Sequence, residues 1–265
     1  MRYLFGLLLL CQFSLALAQS DLFPEVATSY RVEINGSPVW ERQSNRHLPP
    51  ASLTKLMTAL LVVERDQLQS IATVSRGAAR ETGTRIGLKT GERLKVEDLL
   101  AAALIDSAND ACHALADTMA ENQARFVQVM NRRASQLGML NTHFVNACGH
   151  DEEGHYSSAH DLALLANEVI KHPQLIELTS KSGARISTVG DTRSYSFSSK
   201  NALIGRYPGA LGLKTGYTPK AGKCLVAFAK RGSNQIVLVM LHGNNRWWDA
   251  VDILDLAFAH ALHPI

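Results

Sequence analysis

Residues 209–228, GALGLKTGYTPKAGKCLVAF, run from a glycine-rich segment into a strongly apolar one. The apolar part continues as AKRGSNQIVLVMLHG to residue 243, with Arg231-Gly232-Ser233-Asn234 between two strand-like runs. That is the pattern of a hairpin. Lys214 is therefore expected at the end of a sheet strand. Gly216, lacking a side chain, would let another chain come close to the backbone. The pentapeptide GLKTG also occurs at 87–91, inside TRIGLKTGERLKVEDLL. There Gly91 and Glu92 form a turn ahead of a helix, and Lys89 reads as a solvated turn lysine.

Outward from this segment, strands are expected at both ends of the chain. Asn35-Gly36 within YRVEINGSPVWE, residues 30–41, is a strong hairpin signal. ARISTVGDTRSYSFSS, residues 184–199, suggests another hairpin around Val189-Gly190-Asp191. Between them the texture is helical. Pro49 and Pro50 stop any earlier helix, and Ser52 opens an apolar helical stretch to about Glu64. Residues 96–106 read as a buried helix that Ser107 interrupts. New helices are expected from Asn109 to about 120 and over 121–137. Ser158 to Asp161 reads as a capping box for a helix that Pro173 ends, and the tail from Trp247 to His260 has helical spacing. The order hairpin, helices, strands, helix fits an α+β fold, in which an antiparallel sheet built from both chain ends packs on a helical block.

Three short motifs carry the chemistry: Ser52-x-x-Lys55, Ser107-x-Asn109 and Lys214-Thr215-Gly216. The first falls on a helix start, the second between two helices and the third on a strand. Ser52 and Lys55, three apart, share one helix face. Free N–H groups and partial positive charge at the helix start favour a serine alkoxide and a neutral lysine, and Lys214 would push in the same direction. A neutral Lys55 can take the Ser52 proton, which activates a weak nucleophile without histidine. Ser107 can relay a proton to a departing amine. Asn109 offers an amide to Lys55 or to substrate backbone. Lys214 and Thr215 suit a substrate carboxylate. The backbone N–H groups of Ser52 and Tyr217 would form an oxyanion hole. The plainer readings are a helix cap for Ser52, a solvent lysine for Lys55 and a helix cap for Asn109.

The net charge of +3 in 265 residues gives no sign of a polyanion binder, so no nucleic-acid partner is expected. Residues 1–18, MRYLFGLLLLCQFSLALA, read as a secretory signal with cleavage after Ala18. Residues 19–265 are then expected to form one catalytic domain outside the cytoplasmic membrane, with no second β-rich domain and no membrane anchor. Cys112, Cys148 and Cys224 remain after Cys11. They are too few for a disulfide framework, and any one pair can form.

The motif set, in this order, is that of penicillin-binding proteins and class A β-lactamases. Together with LGMLNTHFVNACGHDEEGHYSSAHDLA, residues 137–163, and the segments quoted above, the chain resembles low-molecular-mass penicillin-binding proteins of the D-alanyl-D-alanine carboxypeptidase family. The resemblance covers roughly residues 25–260. It implies the transpeptidase/β-lactamase-like fold, with a sheet of about five strands flanked by helices and a mostly helical subdomain. It also implies periplasmic work on peptidoglycan stem peptides through a Ser52 acyl-enzyme, with β-lactams acylating the same serine. No metal or organic cofactor is implied. It places Arg246 and Lys200 near the substrate, where a surface role is the alternative.

Other activities compete with this reading. A D,D-endopeptidase would cut cross-links with the same residues. A β-lactamase shares the three motifs, but no E-x-x-L-N segment is found here. A non-catalytic wall-binding module would keep the fold. A metallopeptidase built on His150, His155 and His160 lacks the spacing of H-E-x-x-H, which puts two ligands on one helix face.

Overall fold

The computed structural model describes residues 21–263; the expected leader at 1–18, with Cys11, lies outside them. Asn35 and Gly36, both left-handed (φ 52° and 82°), turn β1 (Ala27–Ile34) into β2 (Ser37–Arg42) as their sequence requires. A 3-10 turn over Ala51–Thr54 then leads into α1 (Lys55–Glu64). Ser52 therefore does not cap a helix. It stands in the tight turn, and the α-helix begins at Lys55.

The helical block holds α2 (Val96–Ala101), α3 (Asn109–Ala120), α4 (Gln123–Gln136) and α5 (Ala159–Ile170). The single helix expected over 96–106 is broken, because Ala102–Asp106 form a π turn and Ser107 follows in the left-handed region at φ 68°. Such turns leave one residue out of the helical repeat and cluster at functional sites. Pro173 does more than end α5. As the first residue of α6 (Pro173–Thr179) it starts a further helix, where a missing N–H costs nothing. Two short strands, β3 (Ile71–Thr73) and β4 (Arg93–Lys95), pair as a small sheet that the sequence reading did not foresee.

The strands of the second half follow the expected texture. β5 (Gly183–Ser187) and β6 (Ser194–Ser198) form a surface hairpin. β7 (Ala210–Thr218), β8 (Gly222–Arg231) and β9 (Asn234–Gly243) join the first hairpin in a five-stranded antiparallel sheet of order β2-β1-β9-β8-β7. The last strand in sequence thus lies beside the first, and the sheet is built from both chain ends.

Central β8 and β9 are buried on both faces, which is why they are apolar throughout rather than alternating. Leu225, Ala227, Leu238 and Met240 face α7 (Arg246–Leu262) and pack on Ile253, Leu254 and Phe258. Their neighbours Val226, Phe228, Val237 and Val239 face the helical block and pack with Leu56, Leu60, Leu115 and Leu162. Edge strand β7 pairs Lys214 with Val226 and Gly216 with Cys224. Directly opposed residues share a face, so Lys214 and Gly216 point toward the helical block. The sheet thereby carries the third motif to the helices bearing the first two.

Candidate active site

The Lys55 side chain is buried, at 1% exposure. Its Nζ lies 3.0 Å from Ser52 Oγ and donates to Asn109 Oδ1 and to the Cys148 carbonyl, each at 2.7 Å. Burial pushes its pKa down to about 7, and the charge of Glu81 pulls part of the way back. Glu81 is kept ionised for this role. Burial works against its charge, but hydrogen bonds with His113 (2.6 Å) and His150 (2.9 Å) outweigh it and hold it well below the carboxylate range.

Asn109 does not cap its helix. Its amide Nδ2 donates to the Thr82 carbonyl at 2.7 Å while Oδ1 accepts from Lys55. The amide orientation is thereby set, because only oxygen can face the amine. Ser107, buried and two residues away, makes no side-chain hydrogen bond among the described residues. Its left-handed backbone is a strained state for a non-glycine residue.

Lys214 is likewise 1% exposed. Burial, followed by the charges of Lys55 and Arg246, pushes its pKa well down, with Asp106 acting against them. Two buried amines in one cleft oppose each other's protonation. A Cβ at Gly216 would lie 3.0 Å from the Pro50 carbonyl, 3.1 Å from Ala51 Cβ and 3.2 Å from Ser52 N. The strand therefore approaches the Ser52 amide as closely as a glycine permits, just before Tyr217, which is 63% exposed. Thr215 is buried on the alternate side of β7. Arg246 Nη1 donates to the Gly216 carbonyl (2.7 Å) and the Cys224 carbonyl (3.1 Å), fastening β7 to β8. Lys200 pairs with Asp106 at 3.0 Å.

Lys89 of the upstream GLKTG is exposed. The amides of Gly87 and Leu88 donate to the Asp110 carboxylate at 2.8 and 3.0 Å, so that copy is a loop clamped to the start of α3. His150, His155 and His160 do not converge. His150 pairs with Glu81 and His160 with Asp161. Buried His155 accepts the Val145 amide on Nδ1 (3.0 Å), so its proton sits on Nε2 and is donated to Thr54 Oγ1 (2.9 Å), which itself donates to the Ala51 carbonyl (2.9 Å). Burial pushes the His155 pKa down to about 4, and the neutral ring buttresses the turn that carries Ser52. Elsewhere Glu64, Glu168 and His172 gather, but Arg133 ion-pairs with both carboxylates.

The Cys148 carbonyl is the main group that sequence reasoning missed. A backbone oxygen has no sequence signal of its own. NACG, residues 146–149, does mark the turn that presents it. Asn146 Oδ1 accepts the amides of Cys148, Gly149 and His150 at 3.2, 2.7 and 3.0 Å. Gly149 is left-handed (φ 87°), and a Cβ there would fall 1.9 Å from the Ala51 carbonyl. Gly149→Ala should therefore destabilise the protein by about 3 kcal/mol or more, from backbone strain and overpacking together. A denaturant titration checks this, and an unchanged midpoint would contradict the close packing of this loop. Cys148 is disulfide-bonded to Cys112, a pairing left open by the sequence, and Cys224 is a buried free thiol.

Comparison with known proteins agrees with this geometry. A family model described as D-alanyl-D-alanine carboxypeptidase matches residues 32–245. D-alanyl-D-alanine carboxypeptidase DacF of Bacillus subtilis is 35% identical over 256 residues, covering 93% of this chain and 66% of that protein. The crystal structure of D-alanyl-D-alanine carboxypeptidase from Mycobacterium tuberculosis superposes with a TM-score of 0.83 at 30% identity, over 89% of this chain and 92% of that one. Penicillin-binding protein D2 from Listeria monocytogenes, in its ampicillin-bound form, gives 0.77 at 32% identity over 88% and 97%. The chain spans about half to two thirds of the length of the first curated relatives it matches. The transpeptidase/β-lactamase-like fold that the family resemblance implied is thereby shown.

Proposed function

Because this chain belongs to the D-alanyl-D-alanine carboxypeptidase family, we propose that it is a serine D,D-carboxypeptidase trimming the terminal D-alanine from peptidoglycan stem peptides. The observation that carries the reading is the hydrogen-bonding of the Lys55 amine. A neutral amine has two hydrogens and one lone pair. Asn109 Oδ1 and the Cys148 carbonyl, both at 2.7 Å, take the two hydrogens. The lone pair is left for the hydroxyl of Ser52 at 3.0 Å.

In this mechanism Ser52 Oγ attacks the carbonyl of the penultimate D-alanine while Lys55 takes its proton. The tetrahedral oxyanion is held by the amides of Ser52 and Tyr217, with Gly216 keeping the strand close. Lys214 and Thr215, on opposite faces of β7, would meet the substrate's terminal carboxylate at the free edge of that strand. The C–N bond breaks as the proton taken from Ser52 passes from Lys55 through the Ser107 hydroxyl to the nitrogen of the leaving D-alanine, which leaves Lys55 neutral again. Water, deprotonated by Lys55, then attacks the acyl-enzyme ester, and Lys55 returns that proton to Ser52 Oγ as the C–O bond breaks. No cofactor enters. β-Lactams acylate Ser52 along the first half of this path, in keeping with the ampicillin-bound relative. The leader-like residues 1–18 and the Cys112–Cys148 bridge both support work on the exported, oxidising side of the membrane, in the periplasm. No described helix is long and apolar enough to cross a membrane.

Digestion of purified muropeptides followed by mass analysis tests the assignment. The expected result is loss of one alanine from pentapeptides. Conversion of cross-linked dimers to monomers would make the enzyme an endopeptidase, and no change in either substrate would sink the reading.

A further inference from the structure

We propose that the Cys112–Cys148 disulfide is a positioning element of the catalytic centre, locking together the two oxygen acceptors that hold the Lys55 amine. One acceptor, Asn109 Oδ1, comes from the first residue of α3. Cys112 stands three residues later, on the same face of that helix. The other acceptor is the backbone carbonyl of Cys148 itself. The bridge spans 36 residues of sequence, yet it joins the two structural pieces that meet at this nitrogen.

The piece carrying Cys148 needs such a tie. Between α4 and α5 the chain runs without helix or strand apart from two isolated bridges at His143 and Ser157. Its turn is shaped from within by Asn146, rests on Ala51 through Gly149, and is held to α1 by Thr58 Oγ1, which donates to the Ala147 carbonyl at 2.7 Å. None of these contacts reaches α3; apart from the bridge, the loop's hydrogen-bonded link to that helix is indirect, from His150 through Glu81 to His113. A general base must be held to about half an ångström, and loop carbonyls left to themselves wander further than that. The charged groups facing Lys55 are Glu81, from the segment before β4, and Lys214, from β7. Any drift of the two acceptors changes how these charges are felt at the amine.

The proposal rests on the serine-acylation reading of this site, and its test separates the two. The native chain is treated with a phosphine reductant until two further thiols titrate, and a Cys112→Ala/Cys148→Ala double variant is made alongside. The rate of acylation by a fluorescent penicillin is measured against pH, together with the equilibrium constant of the complex that precedes the covalent step. Opening the bridge should slow acylation about tenfold or more at pH 7 and move the acid limb of its pH profile, with the pre-covalent constant unchanged. Leu254→Ala, in the core on the far face of the sheet, supplies a destabilised control whose acid limb stays in place.

An acid limb that superimposes before and after the bridge opens overturns the proposal, even if thermal stability falls. The reduced native chain starts from folded protein, so a double variant that fails to fold leaves the measurement intact. Absence of labelling in the untreated chain would sink the acylation reading instead.

Discussion

Ser52→Ala is expected to abolish covalent labelling by fluorescent penicillin and to lower kcat/KM for D-alanine release by at least about 10⁴-fold. The hydroxyl is the proposed nucleophile, and among the described residues no other serine or threonine hydrogen-bonds to Lys55 Nζ. The fold should survive. Ser52 does not cap a helix, and its one side-chain hydrogen bond among the described residues is with Lys55. Loss of a single such bond costs about 1 kcal/mol. The variant therefore separates chemistry from stability, with thermal unfolding as the companion measurement. Labelling that persists at full stoichiometry would move the nucleophile elsewhere and dissolve the three-motif site.

The second large effect concerns the base. Lys55→Met keeps the length and apolar stem of the side chain while removing the amine. Acylation should fall by roughly 10³-fold, within the range general bases contribute. Asn109 Oδ1 and the Cys148 carbonyl lose their partner, at about 1–3 kcal/mol for each orphaned oxygen, against relief from burying an amine. The native enzyme supplies an independent check. With its pKa pushed down to about 7, Lys55 is neutral and competent above that pH and protonated below it. Acylation should thus rise with pH through about 7 and level off, and the residual rate of Lys55→Met should lack that limb. Lys89→Met, in the upstream GLKTG, is the matched control and should be silent. A native profile flat from pH 6 to 8, or a Met variant of native rate, would remove Lys55 from the chemistry.

The difference between the two GLKTG copies shows how far local sequence reaches. Five identical residues place one lysine in solvent, on a loop whose Gly87 and Leu88 amides are held by Asp110, and the other at 1% exposure against a second buried amine. Context separated them on paper, because an apolar hairpin follows only the later copy. The early hairpin was legible for a similar reason. Asn35-Gly36 supplies the left-handed turn that pairs β1 with β2, a preference that belongs to the two residues themselves. The breaks were not legible. The 3-10 turn at Ser52, the π turn before Ser107 and the helix that Pro173 starts depend on what packs around them, and their residues are compatible with ordinary helix or loop.

The order of the main elements, the α+β class and the residue types for serine acyl transfer were determined by the sequence alone. They follow from periodicity, turn chemistry and three spacings, all properties of a chain and its near neighbours. Only the tertiary structure decided that Lys55 is stripped of water, that its two hydrogens are taken by Asn109 and by the Cys148 carbonyl 93 residues away, and which cysteines pair. The physical reason is that desolvation and hydrogen bonding act over a few ångströms in space, and the groups responsible are brought there by the packing of sheet against helices.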